Sequence, residues 1–213
     1  MLFNHINNKN KKAVKTFKKT MFLKDLMLIL FLITALLISG CARWPDDDDG
    51  GGDGEKQKLL LIRVDINETG KINTELGKYY IVLDIGEDAT QPPSRDIEEW
   101  EKGYHYIRLD KFGFCMGEWG KFCQYTSVGN RFEGYFQINL DLKSLGDPKK
   151  IYMNVITTDN NDKTYDSVDN PADLTIGDTG LESYSRIGQG SGSSIGGPDF
   201  AINKVTVNLY TKS

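Results

Sequence analysis

The sequence predicts an all-β fold, an antiparallel β-sandwich of the jelly-roll or immunoglobulin-like kind with about eight strands. The first observation is that apolar and polar residues alternate with a period of two at both ends of the region after residue 57. The second is a series of short stretches rich in β-branched and aromatic residues, separated by Gly, Pro, Asn or Asp. The third is that this region lacks the periodic apolar residues of a core helix.

The first predicted strand, 58–67, places Leu60, Ile62 and Val64 on one face, and the last, 201–210, does the same with its valines. Such terminal strands usually pair with each other or lie in facing sheets. Within the longest predicted strand, 131–140, Gly134 indicates a bulge or a close backbone approach, and that strand is expected to be central. The other strands are predicted at 78–85, 104–110, 112–115, 122–127 and 151–158.

Helical turns are expected at only two places. Residues 96–102 can form one or two turns with Ser94 or Asp96 as the cap. Residues 142–145 can form one turn that ends at Gly146.

The long polar stretch 159–200 is unusual for a compact domain, because structureless loops of that length are uncommon. We therefore expect short edge strands near 174–176 and 183–187, followed by a Gly- and Ser-rich loop tip.

Residues 1–40 have the pattern of an export signal. Six lysines and no acid lie within the first 20 residues, and an apolar run of 13 residues follows at 26–38. That run is shorter than the roughly 20 residues that span a bilayer. Residues 37–41 resemble a bacterial lipobox, which implies cleavage before Cys41 and acylation of the Cys41 thiol, with palmitate among the acyl chains. An uncleaved N-terminal anchor is the alternative.

Residues 41–57 predict a flexible tether, since four consecutive Asp and a run of Gly follow Cys41. An acidic cluster in this position resembles the export tag of surface lipoproteins in some Gram-negative lineages. It favours the outer membrane or cell surface over the inner membrane as the location in the cell envelope. The folded domain is expected at 58–213.

The charge of the exported part restricts its partners. Residues 41–213 hold 19 Lys and Arg against 29 Asp and Glu, a formal net charge of −10 compared with −4 for the whole chain. A nucleic acid partner is therefore not expected, because phosphates require a basic face. Membrane association is expected through the lipid anchor rather than through attraction to anionic lipid.

Cys115 and Cys123 form an even pair once Cys41 is acylated, so we expect a disulfide in an oxidising compartment. The two glycines between them suit a hairpin turn, and the bond would contribute about 2 to 3 kcal/mol.

Patterns of catalytic residues mostly fail. His105 is the single His after residue 41, and residues 192–196 match a nucleophile elbow without the following helix or a later His. No catalytic residue is therefore predicted. Acid pairs such as Glu118 with Asp110 would serve glycoside hydrolysis only at a separation of roughly 5 to 9 Å.

Asp159, Asp162 and Asp166 begin a segment that looks like a calcium loop, but Lys163 stands at a ligand position and residue 164 is not Gly. This excludes an EF-hand. An irregular Ca²⁺ site at the sandwich edge, formed by these three residues, stays open, and no other cofactor is expected.

Several segments carry a family resemblance, namely 71–75, 79–84 with the acidic loop to Pro93, Trp100, 140–146 and 152–159. Together they resemble the DOMON-like sandwiches, which are similar to family 9 carbohydrate-binding modules and to the C-terminal domain of glucodextranase-like proteins. The resemblance covers most of residues 58–210 and implies a β-sandwich that binds sugar, or haem in some relatives. The paired Trp clamp of the sugar-binding modules has no match here, and His105 alone is available for haem.

We expect a non-enzymatic ligand-binding module of the cell envelope with a glycan as its ligand class. The rings expected to stack on a sugar are Trp100, Trp119, Tyr104, Tyr106 and Tyr125. Core packing is the alternative role for each ring. A structural protein that docks on an envelope protein is the alternative function, and a glycoside-acting enzyme is the second.

Overall fold

The computed structural model describes residues 56–212. The predicted signal peptide 1–40, the lipidation of Cys41 and the tether up to residue 55 lie outside the described residues. Within them, 11 strands form two antiparallel sheets, which confirms the predicted β-sandwich. The strands are β1 (Gln57–Ile66), β2 (Gly77–Asp84), β3 (His105–Asp110), β4 (Gly113–Glu118), β5 (Gln124–Tyr125), β6 (Gly129–Arg131), β7 (Tyr135–Asp141), β8 (Tyr152–Asp159), β9 (Thr164–Ser167), β10 (Ser183–Gln189) and β11 (Ile202–Lys212).

The strand order is β10-β11-β1-β7-β6 in the first sheet and β5-β4-β3-β2-β8-β9 in the second. The first and last strands of the domain pair with each other, with Ile62 opposite Val207 and Val64 opposite Val205. The apolar residues of the period-two pattern in both segments therefore lie on the side of the sheet that faces the core. Among residues 56–212 no helix has the length and apolar character needed to cross a bilayer.

The core fills the space between the two sheets. Alternate residues of β1, β7 and β11 face alternate residues of β2, β3 and β8, and nearly all of them are fully buried. Tyr79 packs between Phe136 and Phe200, with ring centroids 5.7 and 5.5 Å away. Its hydroxyl group donates to the carbonyl of Asp199 over 2.8 Å, so the polar atom of this ring is satisfied.

The predicted strand 131–140 is broken, because β6 ends at Arg131 and β7 begins at Tyr135. Phe132 N–H donates to the carbonyl of Tyr135 over 2.9 Å, which closes a tight turn. Gly134 lies in this turn, and a side chain at this position would have open space around it. The predicted bulge or close backbone approach at Gly134 was therefore wrong. The part that remains, β7, lies between β1 and β6, in agreement with the predicted interior position.

Both predicted helical turns form as 3₁₀ turns. Asp96 caps Ile97–Glu99 by accepting from Glu98 N–H, and Gly146 ends Leu142–Leu145 at φ 81°. The predicted edge strand near residue 183 is β10, whereas β9 was not predicted. Ile176 forms an isolated bridge with Ile151 instead of a strand.

The outward faces of the two sheets differ. Residues 85–104, which we call the cover segment, lie over the outward face of the second sheet. The segment is fixed there because Asn154 Nδ2 donates to the carbonyl of Pro93 over 2.9 Å and Thr164 Oγ1 donates to the carbonyl of Arg95 over 2.8 Å. The outward-pointing side chains of the central strands in the first sheet stay partly exposed.

Candidate functional site: a pocket beside the cover segment

A second apolar cluster lies between the cover segment and the second sheet. Trp100 of the cover segment packs edge-on against Tyr80, with ring centroids 5.5 Å apart. Its indole N–H donates to the carbonyl of Ser94 over 2.8 Å, so the ring is fixed within the segment. The cluster makes this half of the outward face inaccessible. Its buried members are Tyr80, Val82, Ile97, Trp100, Tyr106, Cys115 and Ile156.

Four of the five rings expected to bind ligand belong to this cluster. Trp100 and Tyr106 are each only 5% exposed, while Tyr104 and Trp119 are partly buried against the cluster. Trp119 stands edge-on to Trp100 with centroids 5.0 Å apart. Tyr125, at 51% exposure, is the member of the five that presents its ring to solvent. The binding role of these five rings stays a prediction. Tyr125 is the ring whose exposure allows contact with a ligand.

The disulfide between Cys115 and Cys123 is present, with Cα atoms 5.7 Å apart, in agreement with the prediction. It joins β4 to the residue immediately before β5, across a loop in which Gly120 adopts φ 88°. Because β5 has only two residues, the disulfide supplies a covalent tie that its short pairing lacks. It thereby fixes the strand that carries Tyr125.

A pocket of about 410 Å³ opens on the second sheet near β5. We call it the Arg108 pocket. It is lined by the connection between β1 and β2, strands β2, β3 and β5, the β3–β4 turn and the loop between β8 and β9. The residues that matter for its chemistry are Glu75, Lys78, Arg108, Asp110, Phe112 and Tyr125.

The polar centre of the pocket is the ion pair of Arg108 and Asp110, whose side chains are 22% and 10% exposed. Arg108 donates from Nε to Asp110 Oδ2 over 2.9 Å, and Nη2 lies 2.8 Å from the same oxygen. Tyr125 donates its hydroxyl hydrogen to Oδ2 over 3.0 Å, and Phe112 N–H donates to Oδ1 over 2.8 Å. Four donors hold one carboxylate, so the pair keeps its geometry without a ligand.

The electrostatics of Arg108 agree with this fixed position. Burial by itself lowers the pKa of the guanidinium group, but nearby Tyr80, Tyr125 and Asp110 outweigh it and raise the pKa above its ordinary value. A guanidinium group is protonated at neutral pH in any case, and this environment favours the charged form further.

A second ion pair forms the adjoining wall. Lys78 Nζ lies 2.8 Å from Asp162 Oδ1, and the hydroxyl of Tyr80 donates to the same oxygen over 2.6 Å. Burial, followed by the neighbouring Asp162, raises the pKa of the Tyr80 phenol well above its ordinary value, so this hydroxyl remains a donor.

Two exposed rings stand at the mouth of the pocket. Phe112 is 72% exposed and stands edge-on to Tyr125, with centroids 6.0 Å apart and planes at 79°. Phe112 lies in the β3–β4 turn next to Gly113, whose φ of 115° favours glycine. A turn of this kind projects a large ring into solvent, where it is available for stacking.

The structure does not bring the three predicted calcium ligands together. Asp159 accepts from the N–H groups of Asn161 and Lys163, Asp162 pairs with Lys78, and Asp166 accepts from Ile202 N–H. Among residues 56–212 no group of three or more His, Cys, Asp or Glu side chains has an arrangement suited to a metal ion. A Ca²⁺ site there stays an untested prediction.

Other sequence candidates lie apart from the pocket. In the register of the β3–β4 hairpin, Glu118 lies opposite His105 at one end and Asp110 lies opposite Gly113 at the other. About 17 Å of strand separates the two acids at about 3.4 Å per residue, beyond the range for glycoside hydrolysis. Nδ1 of His105 is buried and finds no hydrogen-bond partner among the described residues.

The sequence pattern did not point to Arg108, Phe112 or Lys78. Arg108 and Asp110 are two residues apart in a strand, which places both on the same face, and this spacing was readable. Their meeting with Tyr125 depends on the strand order β5-β4-β3, which the spacing does not give.

Comparison with known proteins identifies no relative: no family model, no curated protein and no solved structure matches this chain.

Proposed function

We propose that this chain is a lipid-anchored protein of the cell envelope whose sandwich binds glycan without catalysis, with a sugar ring seated in the Arg108 pocket. The observation that carries the proposal is the juxtaposition of the exposed rings of Phe112 and Tyr125 with the fixed ion pair of Arg108 and Asp110.

The chemistry of a pyranose ring suits these two kinds of group. One side of the ring is a flat array of C–H groups, which stacks on an aromatic face, and its edge carries hydroxyl groups. Planar charged side chains held in place by other bonds can meet such hydroxyls with little loss of side-chain entropy. A volume of about 410 Å³ lies in the ordinary range of small-ligand pockets.

A binding role is favoured over hydrolysis by the state of Asp110. Hydrolysis by paired carboxylates requires groups free to transfer a proton or to attack the sugar. Asp110 instead accepts from Arg108, Tyr125 and the Phe112 N–H. Its oxygens therefore hold the pocket together.

A glycan array probed with the purified full-length protein in detergent tests this proposal, with calorimetry on the glycans that bind. We expect Phe112→Ala and Tyr125→Ala each to weaken binding about tenfold, in line with roughly 1 to 1.5 kcal/mol for a lost stacking contact. Phe122→Ala is the matched control, because Phe122 is a fully exposed ring outside the pocket. Binding to no glycan, or equal affinity in all three variants, would refute the proposal.

The lipid anchor is tested separately. Cells fed an alkynyl palmitate analogue should label the protein, and Cys41→Ala should abolish labelling and leave the N-terminal segment uncleaved. Labelling of the Cys41→Ala variant, or a purified protein that begins at Met1, would contradict this part of the proposal.

A further inference from the structure

The outward face of the first sheet carries three rows of side chains that run across the strands. We call this surface the open face. Residues of one row are opposite one another in the registers of neighbouring strands. The rows are Asn130, Gln137, Arg63, Thr206 and Ile187; then Asn139, Leu61, Asn208 and Ser185; then Tyr135, Asp65, Lys204 and Gln189.

The open face is accessible even at the middle of the sheet. Leu61, Arg63 and Asp65 point outward from the central strand β1 and remain partly exposed. In the second sheet the equivalent outward residues of β2, Tyr80 and Val82, are fully buried under the cover segment. The two sheets therefore differ in what they can contact.

Side-chain amides on this face have unused hydrogen-bonding groups. Within residues 56–212, the side chains of Asn130, Gln137 and Asn208 form no hydrogen bond to another protein group. Each amide offers two donors and an acceptor in a fixed plane. Gln137 is the second of five residues in its row and Asn208 the third of four in the next, so both groups lie within the rows and can meet a ligand that runs along them.

An aromatic stack lies at one corner of the open face. The guanidinium carbon of Arg63 is 3.7 Å from the ring centroid of Tyr135, and Tyr135 stacks on Phe132 with centroids 4.4 Å apart and planes at 16°. Asp65 accepts from Arg63 Nε and Nη2 over 2.9 and 2.6 Å and neutralises its charge. The outer side of Phe132 is exposed and flat, which suits stacking.

We infer that the open face is a second binding site, which holds the interior of an extended, uncharged polysaccharide chain lying across the strands. The inference rests on the proposed function in so far as glycans are the ligand class. Five strands spaced about 4.8 Å apart give the rows a length of about 19 Å, enough for several sugar units. Arg63 and Asp65 neutralise each other, which leaves Lys204 as the charged side chain of the rows that has no ion pair among residues 56–212. With one such charge beside the free amides and the exposed ring, the face suits a neutral polymer better than a charged one.

The two sites lie on opposite faces of the sandwich, since one belongs to the first sheet and the other to the second. One protein can therefore hold two glycan chains, and a soluble polymer with many binding units should be cross-linked by it.

The experiment measures affinity by calorimetry against a monosaccharide and a series of oligomers of the same uncharged glycan. Wild type should bind longer oligomers progressively more tightly. The double variant Gln137→Ala with Asn208→Ala, and separately Phe132→Ala, should lose about tenfold in affinity for the long oligomer and keep the affinity for the monosaccharide. Asn161→Ala is the matched control, because Asn161 is an exposed amide in the loop between β8 and β9, outside both sites.

The outcomes separate the two proposals. If Phe112→Ala weakens binding of every oligomer about tenfold while the open-face variants bind like wild type, the open-face inference is overturned and the pocket stands. If the open-face variants alone lose the long oligomer and pocket variants bind normally, the inference stands and the pocket proposal fails. If no oligomer binds to wild type, both fail. Equal thermal midpoints for the variants ensure that lost affinity is not lost folding.

Discussion

Tyr125 donates its hydroxyl hydrogen to Oδ2 of Asp110 over 3.0 Å. This bond connects β5, the shortest strand among the described residues, to the outward side of β3. The ring at the mouth of the Arg108 pocket and the carboxylate at its centre are consequently parts of one unit. A change that frees either residue should affect both the stacking surface and the ion pair.

Tyr125→Phe separates the ring from its hydroxyl group. The variant keeps the stacking surface but loses the bond to Asp110, which Arg108 and Phe112 N–H still satisfy. We expect the free energy of unfolding to fall by about 0.5 to 1 kcal/mol, since the bond is partly exposed. Glycan affinity should fall by less than in Tyr125→Ala. Urea unfolding and calorimetry provide both measurements.

Tyr210→Phe serves as the control for that change, because its hydroxyl group reaches Asn139 only over 3.4 Å. Its unfolding free energy should match that of wild type. If Tyr125→Phe were as stable as wild type and Tyr210→Phe were not, the bond from Tyr125 to Asp110 would not be what stabilises this edge of the second sheet.

Removal of the disulfide should affect stability and binding together. Replacement of Cys115 and Cys123 by Ala opens a link between residues eight positions apart, and we expect a loss of about 2 to 3 kcal/mol. Because Cys123 immediately precedes β5, the position of Tyr125 should loosen and affinity for glycan should fall. Thermal unfolding and calorimetry should give the same result for the wild-type protein in a strong reductant. Unchanged affinity in the reduced protein would show that pairing with β4 alone holds β5.

The sequence predicted strands best where one side of a strand faces the core. Within segments 58–67 and 201–210, residues 62–67 and 204–209 alternate strictly. The two segments form β1 and β11, paired as their apolar residues require. Segment 131–140 alternates equally well but forms a turn at 132–134. Period two continues across a tight hairpin, so the pattern alone could not locate the break.

The proposed ligand site was harder to predict, because it depends on which surface each ring faces. Trp100 and Tyr125 are both aromatic residues in polar surroundings, yet one is buried under the cover segment and the other is exposed. That difference follows from how residues 85–104 lie across the second sheet, which composition does not encode. The open face could not be predicted either, because Gln137 and Asn208 lie on one surface only as a result of the strand order β7-β1-β11.

Tyr80→Phe should reveal an alkaline limit to stability. Burial and Asp162 raise the pKa of the Tyr80 phenol in the folded protein, whereas in the unfolded chain it ionises near pH 10. The neutral phenol therefore stabilises the fold fully below about pH 10, and this contribution is lost as the pH rises further. Removal of the hydroxyl should cost about 1 to 2 kcal/mol near neutral pH, where its bond to Asp162 is lost.

Urea unfolding at about pH 8 and about pH 11 tests both effects. The deficit of Tyr80→Phe should shrink at the higher pH, because wild type loses stability there and the variant loses less. The Tyr79 phenol is also buried and its pKa is also raised, so the variant should still lose part of its stability at alkaline pH. A deficit that stayed constant over this range would mean that Tyr80 does not contribute to the pH dependence.

Asp166→Asn should stabilise the protein at neutral pH. Burial raises the pKa of the Asp166 carboxyl group, and Asp169 adds to the rise, although Ile202 N–H donates to Oδ2 over 2.7 Å and favours the charged form. A carboxyl whose folded pKa is raised stabilises the fold fully below its unfolded pKa near 4, and that contribution is lost as the pH rises through the folded pKa. The Asn side chain can accept the Ile202 bond through its oxygen and donate to Ser191 Oγ without a buried charge. Denaturant unfolding should therefore give the variant a higher free energy of unfolding than wild type at pH 7, with a difference that shrinks toward about pH 3. The control is Asp88→Asn at an exposed position, whose free energy of unfolding should match that of wild type at both pH values. An Asp166→Asn variant less stable than wild type at pH 7 would show that the charged carboxylate stabilises the end of β9.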